Sequence, residues 1–248
     1  MKLEPYLERI GIKLIQNPSP EFLAELQNRH LLSIPFEDLD IPAKRIKLDL
    51  EKIYNKIIPT DRGGFCYELN GLFHWLVTSL GFKVDMLSAR VYNDRNHEYG
   101  PEYDHMTLLV HLKKNYLVDV GFGDSFRQPI EMPIGEVEDV SGIYKIFQTN
   151  KNIFELRTKS ENGWQQQYSF STEPKQFDDY KKMCDFQQDS PGSHFRTRML
   201  CTIATETGRI TLSNSSITIT EGKTKNKTEF KSQDEFNILL KKYFGIEL

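Results

Sequence analysis

Arg62-Gly63-Gly64-Phe65-Cys66-Tyr67-Glu68-Leu69-Asn70 is the stretch on which the reading of this 248-residue chain turns. Two adjacent glycines let the backbone turn sharply. Directly after them Leu69, Leu72, Phe73, Leu76 and Leu80 form a stripe at helical spacing that closes at Gly81, a residue suited to the left-handed position after a helix. The spacing therefore predicts a helix opening near Cys66. A cysteine in that first turn meets the positive end of the helix dipole and unbonded N–H groups, which favour thiolate over thiol. The same N–H groups suit a developing oxyanion. Taken alone, a single cysteine after a glycine turn is also an ordinary core residue, so the rest of the chain has to supply a base and a residue to orient it.

Upstream, the chain reads as helix. Ser19 followed by Pro20 is an N-cap with proline at the first helical position, and Phe22, Leu23, Leu26 and His30 follow on one face before Pro35. Asp49 caps a second helix through Leu50, Ile53, Tyr54, Ile57 and Ile58. Downstream of Lys83 the period changes to two. Met106–Leu112 and Tyr116–Val120 flank the polar turn Lys113-Lys114-Asn115 and read as a hairpin, with His105 at its start and Asp119 late in its second strand. A three-residue loop of 113–115 puts both on one sheet face, with Asp119 opposite Leu109. Asp119, flanked by Val118 and Val120, is a carboxylate in an apolar strand and needs a partner. Further strands are expected at Tyr144–Gln148, Ile153–Thr158 and Trp164–Phe170, then a helix from Pro174 to about Gln188. Ser190-Pro191-Gly192-Ser193 breaks the pattern before short strands at Arg198–Thr205, Arg209–Leu212 and Ile217–Thr220. Ser232 and Glu235 form a capping box for a last helix.

Composition excludes several classes. With 38% hydrophobic and 27% charged residues the chain is neither disordered nor fibrous. A net charge of −3 gives no global attraction to nucleic acid or anionic membrane. Three widely spaced cysteines, Cys66, Cys184 and Cys201, offer neither a disulfide framework nor a thiolate zinc site. The first residues lack a signal-like apolar run, so a cytoplasmic protein, where a thiol stays reduced, is expected. No metal is expected either: His111 shares a strand face with His105 but needs a third converging ligand. Lys223, Lys225 and Lys227 read as a solvated hairpin.

Taken together, the Arg62–Glu68 motif, His105 and Asp119-Val120-Gly121-Phe122-Gly123 resemble the arylamine N-acetyltransferase family. So do Tyr6–Gly11, His30 with Ile34–Leu39, and Ser190–Phe195 running on to Cys201. These segments occur in the family's order along nearly the whole chain, with 39 residues from Cys66 to His105 and 14 more to Asp119. The resemblance implies an α+β fold: a helical bundle over 1–82, an antiparallel β-barrel over 83–189 and an α/β lid over 190–248. It also implies a Cys66–His105–Asp119 triad with a thiolate–imidazolium resting pair. The implied reaction is ping-pong acetyl transfer from acetyl-coenzyme A to arylamines, hydrazines or N-hydroxyarylamines.

The resemblance further assigns an acceptor pocket to Phe65, Val91, Tyr92, Phe122, Gly123, Ser125 and Phe126, where aromatic rings suit a flat arylamine. Asp124 in that loop favours a cationic or hydrogen-bond-donating acceptor. Coenzyme A is expected near Gly100, Ser193, His194 and Phe195. Arg62 is expected to pair with Glu37 or Asp40 and support the nucleophile turn. The chain is expected to act as a monomer or homodimer, without nucleic-acid or membrane partners. Cysteine at a helix start, then histidine and aspartate on successive strands, also fits a transglutaminase-like peptidase or transamidase, and a non-catalytic binding protein that has kept the fold.

Overall fold

The computed structural model describes residues 1–42, 46–196 and 199–248. Its first part is helical, with α1 (Leu3–Arg9), α2 (Pro20–Ser33), α3 (Leu50–Ile57) and α4 (Cys66–Ser79), and a two-residue strand β1 (Phe36–Glu37) between α2 and α3. The caps are those the sequence announces. Ser19 Oγ accepts the Phe22 N–H at 3.1 Å, and Asp49 Oδ1 accepts those of Glu51 and Lys52 at 3.1 and 3.2 Å. Gly81 takes φ +89° just past α4. That helix is buried on nearly every side of its first two turns, because it packs between the other helices and a sheet.

The sheet is built from β2 (Lys83–Asn93), β3 (Glu98–Tyr99), β4 (His105–His111), β5 (Asn115–Val118), β6 (Ile130–Glu131), β7 (Glu136–Asp139), β8 (Gly142–Asn150), β9 (Ile153–Ser160) and β10 (Gly163–Lys175). Strand order is β6-β5-β4-β2-β10-β9-β8-β7, with β3 pairing to β2, and every pairing is antiparallel. Gly135 donates to Glu131 O at 2.8 Å and accepts from the Ile146 N–H at 3.0 Å, which draws the two edge strands together into a nearly closed barrel. Strand β4 is buried on both faces. Met106, Leu108 and Val110 join the helical core, while Leu109 joins Leu87, Leu117 and Leu156 in the barrel interior.

Two expectations need correction. The β4–β5 loop is residues 112–114, since His111 pairs with Asn115 and Leu108 with Val118. Parity is as expected, but the continuation of this register sets Asp119 across from Thr107, two residues closer to His105. Pro174 and Lys175 are strand, opposite Leu87 and Met86, beyond an irregularity after Phe170. Proline is tolerated at such a bulge, where no ladder hydrogen bond is required of it. A short 3-10 turn, Phe177–Tyr180, then precedes α5 (Lys181–Asp189).

The remaining part comprises β11 (Leu200–Thr205), β12 (Gly208–Ser213), β13 (Ser216–Glu221), β14 (Thr224–Glu229) and α6 (Gln233–Phe244). Arg198, expected in the first of these strands, lies outside the described residues. Sheet order is β1-β11-β12-β13-β14, so the two residues of β1 tie the helical part to this last sheet. Arg127, 4% exposed, adds a second tie by donating to Ser141 Oγ and to the carbonyls of Thr205 and Gly208. Of the lysine run, Lys225 and Lys227 fall on the exposed hairpin strand β14, and Lys223 lies in the turn before it.

Among the helices, His30 is completely buried. Its Nδ1 lies 2.9 Å from Tyr6 Oη and its ring meets Phe73 edge-on at 5.3 Å, while Nε2 has no partner among the described residues. Burial, reinforced by the nearby Arg9 charge, pushes its pKa down to about 3. The unfolded chain therefore binds a proton that the folded one refuses. Stability is complete above about pH 6.5 and falls by about 1.4 kcal/mol per unit as pH drops toward the folded value. Replacing His30 by Gln removes that dependence. Urea titrations at successive pH values should show wild-type stability falling faster than the variant's between about pH 6 and pH 4; parallel curves would refute the assignment.

Candidate active site

The turn before α4 requires its glycines. A Cβ on Gly63 would lie 1.8 Å from Pro35 O, and one on Gly64 2.7 Å from the Glu68 Cβ. Gly64 O accepts the Glu37 N–H at 2.9 Å, which joins this turn to β1. Glu68, in the first turn of α4, reaches back to accept the Phe65 N–H at 3.2 Å. Cys66 thus starts a helix whose opening is fixed from both sides, and it is 4% exposed.

His105 begins β4 opposite Ala89, and Asp119 follows the last residue of β5. His105 Nε2 stands 2.6 Å from Asp119 Oδ2, with both side chains buried. Asn70, one turn after Cys66, joins the pieces. Its Nδ2 donates to Asp119 Oδ1 at 2.9 Å and to Met106 O at 2.6 Å, and its Oδ1 accepts the Val120 N–H at 2.9 Å. Tyr168 Oη donates to Asp119 Oδ2 at 3.1 Å, and the Gly121 N–H to Oδ1 at 2.9 Å. Gly121 has no room for a side chain, since a Cβ would lie 2.9 Å from Cys66 Cα. The segment carrying Asp119 therefore lies directly against the helix start that carries Cys66.

Electrostatics divide the three residues. Burial opposes the charge of Asp119, yet His105 beside it, with hydrogen bonds from His105, Asn70 and Gly121, holds its carboxyl below the usual range. Burial pushes the Cys66 thiol well up, and Asp104, Cys184 and Asp119 push the same way against the Met106 N–H. This environment runs against the thiolate expected from the helix dipole. Desolvation, invisible in the sequence, is the larger effect.

The expected acceptor residues separate. Phe122 stands edge-on to His105 at 5.2 Å and also meets Tyr168. Phe65 is fully buried, edge-on to Tyr67 at 5.0 Å and to Phe195 at 6.0 Å. Gly123 takes φ +89°, and a Cβ there would meet Phe36 and Thr202 at ordinary contact distance. Ser125 donates to Gln167 at 2.7 Å, and Phe126 points into the barrel core. Val91 lies opposite Tyr168 in the ladder, whereas Tyr92 sits with Tyr99 at 5.1 Å toward the end of β2. Asp124 is engaged by Arg209 at 2.9 Å. Gly100 donates to Val91 O, and a Cβ there would lie 2.4 Å from Asp104 Oδ2. Ser193 Oγ accepts the Phe195 N–H at 3.3 Å. The side chain of His194 lies outside the described residues. His111 is taken up by Asp85 at 2.7 Å and Asn115 at 3.0 Å.

Arg62 meets both carboxylates named for it: Nη2 lies 2.8 Å from Glu37 and 2.8 Å from Asp40. Sequence reasoning missed the other cation. Lys56 Nζ contacts Asp40 at 3.0 Å, Glu68 at 3.1 Å and Glu37 at 3.4 Å. Among the described residues, three carboxylates thus share two cations beneath the turn that precedes Cys66. Burial raises Glu68 to about 7 against the pull of Lys56. Asn70 was missed as well, although its place four residues after Cys66 puts it on the same helix face. Tyr168 carried no such signal, because its approach depends on the β10–β2 pairing.

A family model described as N-acetyltransferase matches residues 20–248. Arylamine N-acetyltransferase 2 of Rattus norvegicus and arylamine N-acetyltransferase 1 of Homo sapiens are each 30% identical over 275 aligned residues, covering 100% of this chain and 95% of each relative. Among solved structures, the arylamine N-acetyltransferase of M. smegmatis superposes with a TM-score of 0.92 at 30% identity, covering 100% of this chain and 93% of that one. The Bacillus cereus enzyme gives 0.91 at 26% identity over 99% and 98%, and is described as having a Cys-His-Glu catalytic triad. In this chain the residue at the histidine is an aspartate.

The ion cluster offers a direct test. Replacing Arg62 by Ala leaves Glu37, which is fully buried, without the closer of its two cations among the described residues. It should cost about 3 kcal/mol, or roughly 8 °C in Tm, and slow Cys66 alkylation in the same variant. An Arg62→Ala protein with unchanged melting and unchanged thiol reactivity would remove the supporting role.

Proposed function

This chain belongs to the arylamine N-acetyltransferase family, and from that premise we propose that it moves acetyl from acetyl-coenzyme A to an arylamine or hydrazine by ping-pong chemistry on Cys66. The observation that carries the reading is the buried His105–Asp119 pair at 2.6 Å, set by Asn70 and Gly121 against the start of α4. With Nε2 committed to the carboxylate, Nδ1 is the imidazole nitrogen left to exchange a proton with Cys66.

His105 takes the Cys66 proton as the sulfur attacks the thioester carbonyl, forming the new C–S bond and expelling coenzyme A as its thiolate. Asp119 does not exchange the proton; it orients the ring and stabilises the imidazolium. His105 returns the proton to the leaving thiolate. In the second half, the acceptor nitrogen attacks acetyl-Cys66, its proton passes to His105, and Cys66 leaves and is reprotonated. High burial of Cys66 favours proton transfer coupled to attack over a standing thiolate.

Phe122 and Phe65 are the rings best placed to line the acceptor side, Phe122 by its contact with His105 and Phe65 by its place next to Cys66. Coenzyme A is assigned to the Gly100 loop and to Ser193–Phe195. Phe195 supports this by meeting Phe65, the residue before the nucleophile. In this reading residues 1–82, 83–189 and 190–248 are three walls of one cleft, with β1 and Arg127 joining the last wall to the other two. Among the described residues no helix is long and apolar enough to cross a membrane, and we assign the enzyme to the cytoplasm on the reduced state its thiol needs.

Incubation with acetyl-coenzyme A and no acceptor should add about 42 Da to the Cys66 peptide, one acetyl in place of one hydrogen. Adding an arylamine should discharge it. Cys66→Ala should take up nothing, and a folded wild-type protein that stays unacetylated would overturn the reading.

A further inference from the structure

The backbone that delivers His105 is under strain. Tyr103 takes φ +65°, a left-handed conformation uncommon for a bulky side chain, and His105 is the first residue of β4 to pair with β2. Such a conformation persists only where its surroundings hold it. Here the Tyr103 N–H donates to Ser88 Oγ at 2.8 Å, and Tyr67 Oη, from the residue after Cys66, donates to Tyr103 O at 2.7 Å.

The next residue, Asp104, is held from a different direction. Gln187 on α5 is 5% exposed, and its Nε2 donates to Asp104 O at 3.1 Å and to Asp104 Oδ1 at 2.9 Å. The carboxamide therefore grips both the peptide next to His105 and the carboxylate that stands near Cys66. Its neighbour Gln188 faces the other way: Oε1 accepts the Ile46 N–H at 2.6 Å and Nε2 donates to Ile46 O at 3.0 Å. Helix α5 is thus anchored on one side and braces the histidine strand on the other.

We propose that Gln187 is a positioning residue for the triad, fixing through Asp104 the approach of His105 to Cys66. The assignment rests on the proposed roles of Cys66 and His105. With the brace gone, Asp104 O and the half-buried Asp104 carboxylate lose a shared donor, the Tyr103 turn relaxes, and His105 is less well placed to take the Cys66 proton. Among the described residues, the titratable groups acting on Cys66 are Asp104 on the β4 side, Asp119 after β5, Tyr67 on α4, and Tyr180 and Cys184 from the 180–189 segment, with His105 paired to Asp119. Of these, Gln187 contacts Asp104 directly.

The test is the pH profile of Cys66 alkylation by iodoacetamide, read by mass on the Cys66 peptide so that Cys184 and Cys201 do not contribute. In Gln187→Leu the rate at about pH 7 should fall about tenfold while the plateau at high pH matches wild type, a shift of about one unit in the midpoint. Melting should stay within a few degrees of wild type. If Gln187→Leu does not fold, Gln187→Glu, which keeps the outline and turns the donor into an acceptor, is read the same way. A profile superimposable on wild type overturns the proposal. So does an equal loss at every pH, which marks general damage to the site. Because alkylation needs no acetyl-coenzyme A, failure of wild-type acetylation would sink the functional reading separately.

Discussion

A carboxylate with almost no access to water holds this molecule's site together. Asp119 is 2% exposed, and an ionised carboxyl so placed survives only where donors surround it. His105, Asn70, Tyr168 and the Gly121 N–H supply them, each from a different part of the chain. The helix bearing Cys66 sends Asn70, β4 sends His105 and β10 sends Tyr168. Satisfying one charge therefore fixes the mutual placement of the helix that bears Cys66 and the barrel.

A second charge cluster does related work beside the turn that precedes Cys66. Lys56 and Arg62 hold Glu37, Asp40 and Glu68 together, and Glu68 in turn accepts from Phe65, the residue before Cys66. Buried ion clusters contribute little net stability but leave a large penalty when one member is lost, which makes them devices of geometry. The glycines next to this cluster follow the same logic, since any side chain at Gly63 would collide with Pro35.

How much was legible in the sequence follows from the range of the forces involved. Ser19, Asp49 and the Ser232–Glu235 box announce helix starts because a cap is a local hydrogen bond. The order of Cys66, His105 and Asp119 was legible because thiol chemistry restricts residue types. The hairpin register slipped by two residues, which alternation cannot detect since parity is unchanged. Pro174 was misplaced in a helix because the bulge that admits it is made by tertiary pairing. Strand β1 is too short to carry a pattern, and Lys56, Tyr168 and Gln187 act through partners distant in the chain. The sign of the Cys66 shift was missed for a related reason: burial belongs to the folded whole.

The two-residue strand β1 has a consequence for biosynthesis. It pairs with β11, and Asp38 just after it accepts the Leu200 N–H at 2.6 Å from 162 residues downstream. On the ribosome, the segment beside the Gly63-Gly64 turn must wait for that strand with its polar backbone and carboxylate unsatisfied. Vectorial synthesis thus keeps the turn incomplete until β11 emerges, so a nascent chain stalled within the barrel carries Cys66, His105 and Asp119 without the sheet that seats the Gly63-Gly64 turn.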